Sequence, residues 1–290
     1  MSITAHPVVR PGVMRALWSL ARPRQWIKNL LVMMPVLFSG RWKHWDDLLT
    51  VGIATTLFCV AASLCYVIND LHDIENDRRH PDKRLKRPLA AGHLTVPQAV
   101  GLGLVLLSVL IAASAWQWRV TAGLGAYLVL SLAYSRWLKR VAVVDLFALS
   151  SGFVLRTWVG SAALGLTLSA WMGISVLSLA LFLCSLKRLR ELRRYGSLAR
   201  EVLSGYSDAL LVRYAELSAA SALTCYALYI LTQRPALAVS FPFALFGLFR
   251  YWQLVEIQEQ GESPGDALLS DPVQAAVAVG WLISCLWAGR

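Results

Sequence analysis

Apolar residues in this chain come in blocks close to the length of a membrane-crossing helix, parted by short segments dense in Arg, Lys and Asp. A helix needs roughly 20 predominantly apolar residues to cross the hydrocarbon core of a bilayer. The pattern places spans near residues 26–40, 48–69, 98–117, 121–137, 142–163, 169–187, 209–232, 236–252 and 273–288. Met34-Pro35 interrupts the first block, so a re-entrant first segment would reduce the count from nine to eight. Backbone groups in lipid must be bonded within a helix or a closed barrel, and no roughly ten-residue alternating pattern marks barrel strands here. The chain is therefore predicted to be all-α, a polytopic transmembrane helical bundle of about nine helices forming a single domain over residues 1–290.

Composition agrees with that reading. Of the 290 residues 57% are hydrophobic and 16% charged, and the mean hydropathy is +0.54; soluble domains carry about 25% charged residues. The first residues hold arginines but no continuous apolar core with a cleavage site, so no secretory signal is predicted. The cations then set orientation. With the N-terminus inside, the inner segments carry 19 Lys and Arg and the outer segments 5, namely Arg41, Lys43, Arg119, Arg234 and Arg290. Such a bias puts the basic loops in the cytoplasm, and a multi-pass location in the inner (plasma) membrane follows. It also accounts for most of the net charge of +11. Topology and contact with anionic membrane lipids explain these residues without a nucleic-acid partner. The five cysteines have no metal-ligand spacing and read as small core hydrophobes. Trp42, Trp45, Trp116, Trp118 and Trp137 fall near predicted span ends, where aromatic belts form.

The chemistry begins at the end of the second span, in Tyr66-Val-Ile-Asn69-Asp70-Leu-His-Asp73-Ile-Glu-Asn-Asp77. At about 100° per residue, Asp73 lies about 60° and Asp77 about 20° from Asp70, with Asn69 and Tyr66 on the same side and Glu75 pointing away. Carboxylates gathered at a membrane boundary repel one another and are usually functional. A hard cation relieves the repulsion, and Mg²⁺ typically takes one or two carboxylates together with substrate phosphates. Six cations follow between Arg78 and Arg87, including Lys86, in a segment shaped by Pro81 and Pro88. The same acids would also suit a solvated helix end paired with Arg78, Arg79 or Lys83.

Two further polar groups stand out. Tyr134, Lys139 and Asp145 lie between the fourth and fifth spans, and Gly152 and Arg156 share a helical face with Asp145. Arg156 sits about 16 Å deeper at 1.5 Å per residue. Either residue could serve a ligand or pair with another helix. Lys187, Arg190, Glu191 and Arg194 form a stripe at the end of the sixth span, where Lys187 and Arg188 suit either phosphate binding or inward-facing charge.

Asn69-Asp70-x-x-Asp73-x-x-x-Asp77 resembles the first aspartate-rich motif of the UbiA superfamily of intramembrane prenyltransferases, and Tyr134…Lys139…Asp145 is similar to its second conserved region. A closer resemblance is to the branch of decaprenyl-phosphate phosphoribosyltransferases. It is carried by Arg22-Pro-Arg-Gln-Trp-Ile-Lys28-Asn29, Lys86-Arg87-Pro88-Leu-Ala-Ala-Gly92, Asp145…Arg156, Lys187-Arg188-x-x-Glu191 and Leu268-Leu-Ser-Asp271. Members using prenyl diphosphates usually carry a second Asp four residues after the position of Asp145; here Leu149 stands there.

The resemblance implies Mg²⁺-dependent transfer of 5-phosphoribose from 5-phosphoribosyl 1-diphosphate to a polyprenyl phosphate, serving lipid-linked pentose donors of the cell envelope. It implies that Asp70, Asp73 and Asp77 hold the metal and that Asp145 completes its shell or orients ribose hydroxyls. Lys28, Lys86, Arg87, Lys139 and Lys187 would contact phosphates, with Asn69, Tyr66, Tyr134, Arg156 and Arg188 lining the substrates. A prenyl diphosphate brings roughly three negative charges and the phosphoribosyl pair about six or seven, which suits so cationic an inner face. Two other readings stand beside it. One is prenyl transfer to an aromatic or other acceptor, against which Leu149 counts. The other is a transporter, whose ion site would belong at broken helices in mid-bilayer. A homo-oligomer is compatible with the chain, and the sequence sets no copy number.

Overall fold

A computed structural model describes residues 12–79, 83–196, 200–257 and 271–289. These residues are helical, in α-helices and short 3-10 segments, with no strand among those described. The helices are α1 (Val13–Ala21), α2 (Met34–Phe38), α3 (Trp45–His72), α4 (Ile74–Arg79), α5 (Lys83–Lys86), α6 (Val96–Ala113), α7 (Trp118–Arg136), α8 (Val144–Ala163), α9 (Ala170–Tyr195), α10 (Asp208–Gln233), α11 (Phe241–Ile257) and α12 (Pro272–Ala288).

Eight of the expected spans correspond to helical elements near the expected bounds. The first does not. Residues Pro23–Met33 form 3-10 helix, followed by the five-residue α2. Pro35 has no amide hydrogen to donate and sits at the start of α2, where none is required. The segment over 26–40 is thus not one regular spanning helix. Another difference is α9, which continues past residue 187 to Tyr195 and carries the Lys187–Arg194 stripe on unbroken helix.

Among the described residues, five elements are long and apolar enough to cross a membrane: α3, α6, α9, α10 and Pro235–Glu256. The surface of α6 shows what surrounds them. Ala99 is its one fully buried residue, whereas Leu104, Val105 and Ile111 are each about three-fifths exposed. So continuous an apolar face is stable against lipid and not against water. Thr95 starts this helix with a capping box closed by Gln98.

The chain divides into two compact units, Met1–Trp26 with Cys59–Trp116, and Ile27–Phe58 with Gln117–Arg290. In the first, Ala16 and Leu20 of α1 pack with Val67 of α3, Leu89, Leu94 and Ala99. In the second, Leu146, Phe182, Leu186, Leu203, Leu211 and Leu254 belong to one core. There α9 and α10 are also joined by Ser175 Oγ donating to the Ala222 carbonyl at 2.9 Å and by the Ser178–Ser221 hydroxyl pair at 3.0 Å. Small polar residues of this kind let helices approach closely in lipid.

Gly160 of α8 makes the tightest backbone approach in the second unit. A Cβ built there would lie 1.9 Å from the Val32 carbonyl oxygen. Backbone cannot move aside as a side-chain tip can, so Gly160→Ala must displace the 3-10 segment that carries Lys28 and Asn29. A destabilisation of about 1–3 kcal/mol is expected, read as a lower melting temperature in detergent. An unchanged melting temperature would refute the close approach.

Candidate functional site

The first unit builds its polar centre at the end of α3. Arg22 ends α1 in the left-handed conformation (φ 54°, ψ 57°), with its amide bonded to the Ser19 carbonyl. This cap turns the chain back on itself. Two hydrogen bonds fix the turn against α3: Trp26 Nε1 donates to Ser63 Oγ (3.1 Å), and Ser63 Oγ donates to the Ala21 carbonyl (2.9 Å). From this position the Arg22 guanidinium lies 4.7 Å from the centre of the Tyr66 ring and donates to Asp70 Oδ1.

Arg87 donates to the same oxygen. It is delivered by a compact turn in which Ala91, His93 and Leu94 amides bond back to the Arg87 and Pro88 carbonyls. Leu89 and Leu94 on either side of that turn are buried in the core of the unit. Asp70 is 2% exposed, and its second oxygen, Oδ2, is buried without a hydrogen-bond partner among the described residues. A buried carboxylate oxygen in that state is costly unless a further cation or donor arrives.

Asp73 stands at the bend between α3 and α4, half-buried, and Asp77 is 3% exposed. Helical hydrogen bonding persists across the bend, from Asp73 N to the Asn69 carbonyl (2.9 Å) and from Asp77 N to the Asp73 carbonyl (2.8 Å). Asn69 is half-buried, while Glu75 is exposed and paired with Arg78 at 3.0 Å. Lys86 is exposed on α5.

No three His, Cys, Asp or Glu side chains among the described residues converge as a ready metal cage. The donors nevertheless fit Mg²⁺, which needs few protein ligands when phosphate oxygens complete its octahedron. Asp70 Oδ2 is an oxygen of the right hardness with no hydrogen-bond partner among the described residues, and Asp73 at the bend and Asp77 on α4 carry further carboxylates.

The second unit holds a separate polar network around Asp145, at the start of α8 and fully buried. Arg188 Nε donates to Asp145 Oδ2 at 2.7 Å, and Tyr206 Oη donates to Oδ1 at 2.5 Å. The remaining Arg188 nitrogens donate to Glu191 (2.7 Å) and to Tyr134 Oη (3.1 Å). Tyr206 Oη also accepts from Val143 N at 2.6 Å. Val143 has φ 70°, an outlier for a β-branched residue, so this bond holds a strained turn just before Asp145. Burial first, and the bond to Asp145 second, raise the Tyr206 hydroxyl above the usual phenol range and keep it a donor.

Asp145 thus pairs with another helix, one of the roles its sequence leaves open, and Arg188 is its partner. Each nitrogen of Arg188 has a protein acceptor and the residue is 2% exposed. It braces α8 against α9 and needs no phosphate to satisfy it. Tyr134 likewise binds Arg188. Tyr206 had no signal in the sequence, since it lies 61 residues from Asp145.

Arg156 lies elsewhere in this unit, 5% exposed. It donates to Asn29 Oδ1 (2.8 Å), the Gly152 carbonyl (2.7 Å) and Tyr127 Oη (3.3 Å). The rings of Phe58, Tyr127 and Phe153 surround its guanidinium within 5.3 Å. Neutral acceptors and ring faces therefore meet this cation, and it has no ion pair among the described residues. Lys28, Lys139 and Lys187 are each half-buried, and Leu149 is half-buried on α8. Asp271 caps α12 through Gln274 N at 2.6 Å and pairs with Arg250 at 2.6 Å; the arginine holds its carboxyl below the usual range.

Long apolar helices with outward apolar faces, enclosing buried carboxylate–arginine centres, define an integral membrane protein with an enzyme-like polar interior. The chain belongs to the UbiA prenyltransferase family, whose model matches residues 30–265. Decaprenyl-phosphate phosphoribosyltransferase of Corynebacterium glutamicum is 33% identical to it, over 96% of this chain and 86% of the relative. The enzyme of that name from Mycolicibacterium smegmatis is 37% identical over 79% of this chain and 75% of its own length. Among solved structures, a UbiA homologue from Archaeoglobus fulgidus bound to GPP and Mg²⁺ superposes with a TM-score of 0.71 at 17% identity, covering 94% of this chain and 98% of the homologue. That likeness carries the fold.

Proposed function

We propose that the protein transfers 5-phosphoribose from 5-phosphoribosyl 1-diphosphate to a polyprenyl phosphate and releases diphosphate, on the cytoplasmic side of the membrane. The likeness to decaprenyl-phosphate phosphoribosyltransferases, over 96% of the chain for one and 79% for another, carries this reading. Leu149 in place of a second acid supports it. The lipid phosphate is already an anionic nucleophile, so no strong general base is required. Its oxygen attacks C1 of the ribose, and the C1–O bond to diphosphate breaks, with the electron pair leaving on the diphosphate. Holding the two reactants together is the larger part of such catalysis.

Asp70, Asp73 and Asp77 would hold Mg²⁺, which when bound supplies Lewis-acid stabilisation of the leaving diphosphate. Lys28, Lys86, Arg87, Lys139 and Lys187 would bind phosphate oxygens. Arg188 and Asp145 position the α8–α9 framework. The test offers the purified protein a polyprenyl phosphate, Mg²⁺ and either labelled phosphoribosyl diphosphate or labelled geranyl diphosphate. A lipid-extractable phosphoribosyl product is expected. Prenylation of an added aromatic acceptor, with phosphoribosyl diphosphate untouched, would replace this reading with prenyl transfer.

A further inference from the structure

We propose that Arg22 is a phosphate-binding residue of the donor site, paired with Arg87 and held ready by Asp70. Arg22 lies before the residues matched by the family model. The proposal deepens the reading of a diphosphate-releasing transfer and rests on it.

Two guanidiniums converge on one oxygen of one carboxylate. Among the described residues that oxygen is the hydrogen-bond acceptor for both arginines. A guanidinium has five N–H donors in a planar fork, so a single shared acceptor leaves most of this donor capacity unused. The exposures are unequal: the Asp70 side chain is 1% exposed and each arginine 23%. The arginines therefore stand on the open side of the carboxylate, and an anion arriving from solution meets them first. Arginine forks match phosphate oxygens in geometry as well as charge.

α1 has anchors other than Arg22. Leu20 and Ala16 are buried in the core with Val67, and the Trp26–Ser63–Ala21 bonds close the same corner. Arg22 also occupies a left-handed cap where glycine is the residue of least strain. The Tyr66 ring beneath the guanidinium fixes its plane without consuming a hydrogen bond. All these features are what a preset anion seat requires and exceed what a helix tie needs.

The test is binding of inorganic diphosphate with Mg²⁺ to the full-length protein in detergent, by calorimetry, alongside melting temperatures. Arg22→Met should weaken diphosphate binding tenfold or more, and Arg22→Lys should restore part of it, because a point charge replaces the fork. In turnover assays Arg22→Lys should raise the donor KM more than it lowers kcat. Equal diphosphate affinity in wild type and Arg22→Lys, with an unchanged donor KM, would overturn the proposal even if Arg22→Met fails to fold. Failure of the wild-type protein to bind diphosphate would instead remove the functional reading on which it rests.

Discussion

Replacing Arg188 with methionine is expected to be the most damaging single change in the second unit. It leaves Asp145 fully buried with Tyr206 as its remaining side-chain donor. Removing one partner of a buried ion pair costs about 3–5 kcal/mol, because an uncompensated charge stays behind. A fall in melting temperature of roughly 10 °C should follow. Changing both partners, Arg188→Met with Asp145→Leu, should recover much of it, since the uncompensated charge goes too. Glu191 would not be stranded, because Arg200 lies 3.3 Å from it. The competing role, direct phosphate contact by Arg188, predicts a near-normal melting temperature with a raised substrate KM. Melting curves and KM values measured on the same preparations separate the two.

The spanning helices were legible because their signal is local and repeated. α3 was expected over 48–69 and runs from Trp45 to His72; α12 was expected over 273–288 and runs from Pro272 to Ala288. In the 26–40 segment hydropathy counts apolar residues without asking whether their backbone is α-helical, and Met34-Pro35 is the one mark of the interruption. Pro23 opens a 3-10 helix that runs to Met33, and Pro35 lies in the five-residue α2 that follows. In α9 charge ends the hydrophobic run at 187 while the helix continues to Tyr195, as the helical stripe of Lys187, Arg190, Glu191 and Arg194 implies.

At the polar centres, what lay within a few turns of one helix was readable and what crossed the chain was not. Helical spacing groups Asn69, Asp70, Asp73 and Asp77 across the end of α3 and the start of α4, and likewise sets Gly152 beside Arg156, whose Nη1 bonds its carbonyl at 2.7 Å. Arg22 and Asp70 are 48 residues apart, and no periodicity links them. The same holds for Asn29, which accepts from Arg156 across 127 residues. On sequence grounds Arg156 either serves a ligand or pairs with another helix. A carbonyl, an amide oxygen, a phenol and aromatic faces are its partners, and no spacing in the sequence links it to Asn29.

Asp73→Ala should abolish most turnover while leaving the protein folded. Asp73 sits at the α3–α4 bend, half-buried, whereas Asp70 and Asp77 on either side are fully buried. Of the three acids it is the one whose loss asks least of the surrounding packing. If Mg²⁺ and the donor diphosphate meet at this helix end, removing one carboxylate weakens charge stabilisation where the leaving group forms. A loss of roughly 10²-fold or more in kcat is expected, together with a higher Mg²⁺ concentration for half-maximal rate. The fall in melting temperature should be smaller than that of Arg188→Met, because Asp73 is half-buried and Arg188 is 2% exposed. Asp73→Asn tests charge apart from volume: it keeps the shape and one oxygen donor, so it should also lose activity. Normal turnover in both variants with unaltered Mg²⁺ dependence would exclude Asp73 as a metal ligand and leave Asp70 Oδ2 as the oxygen to test next.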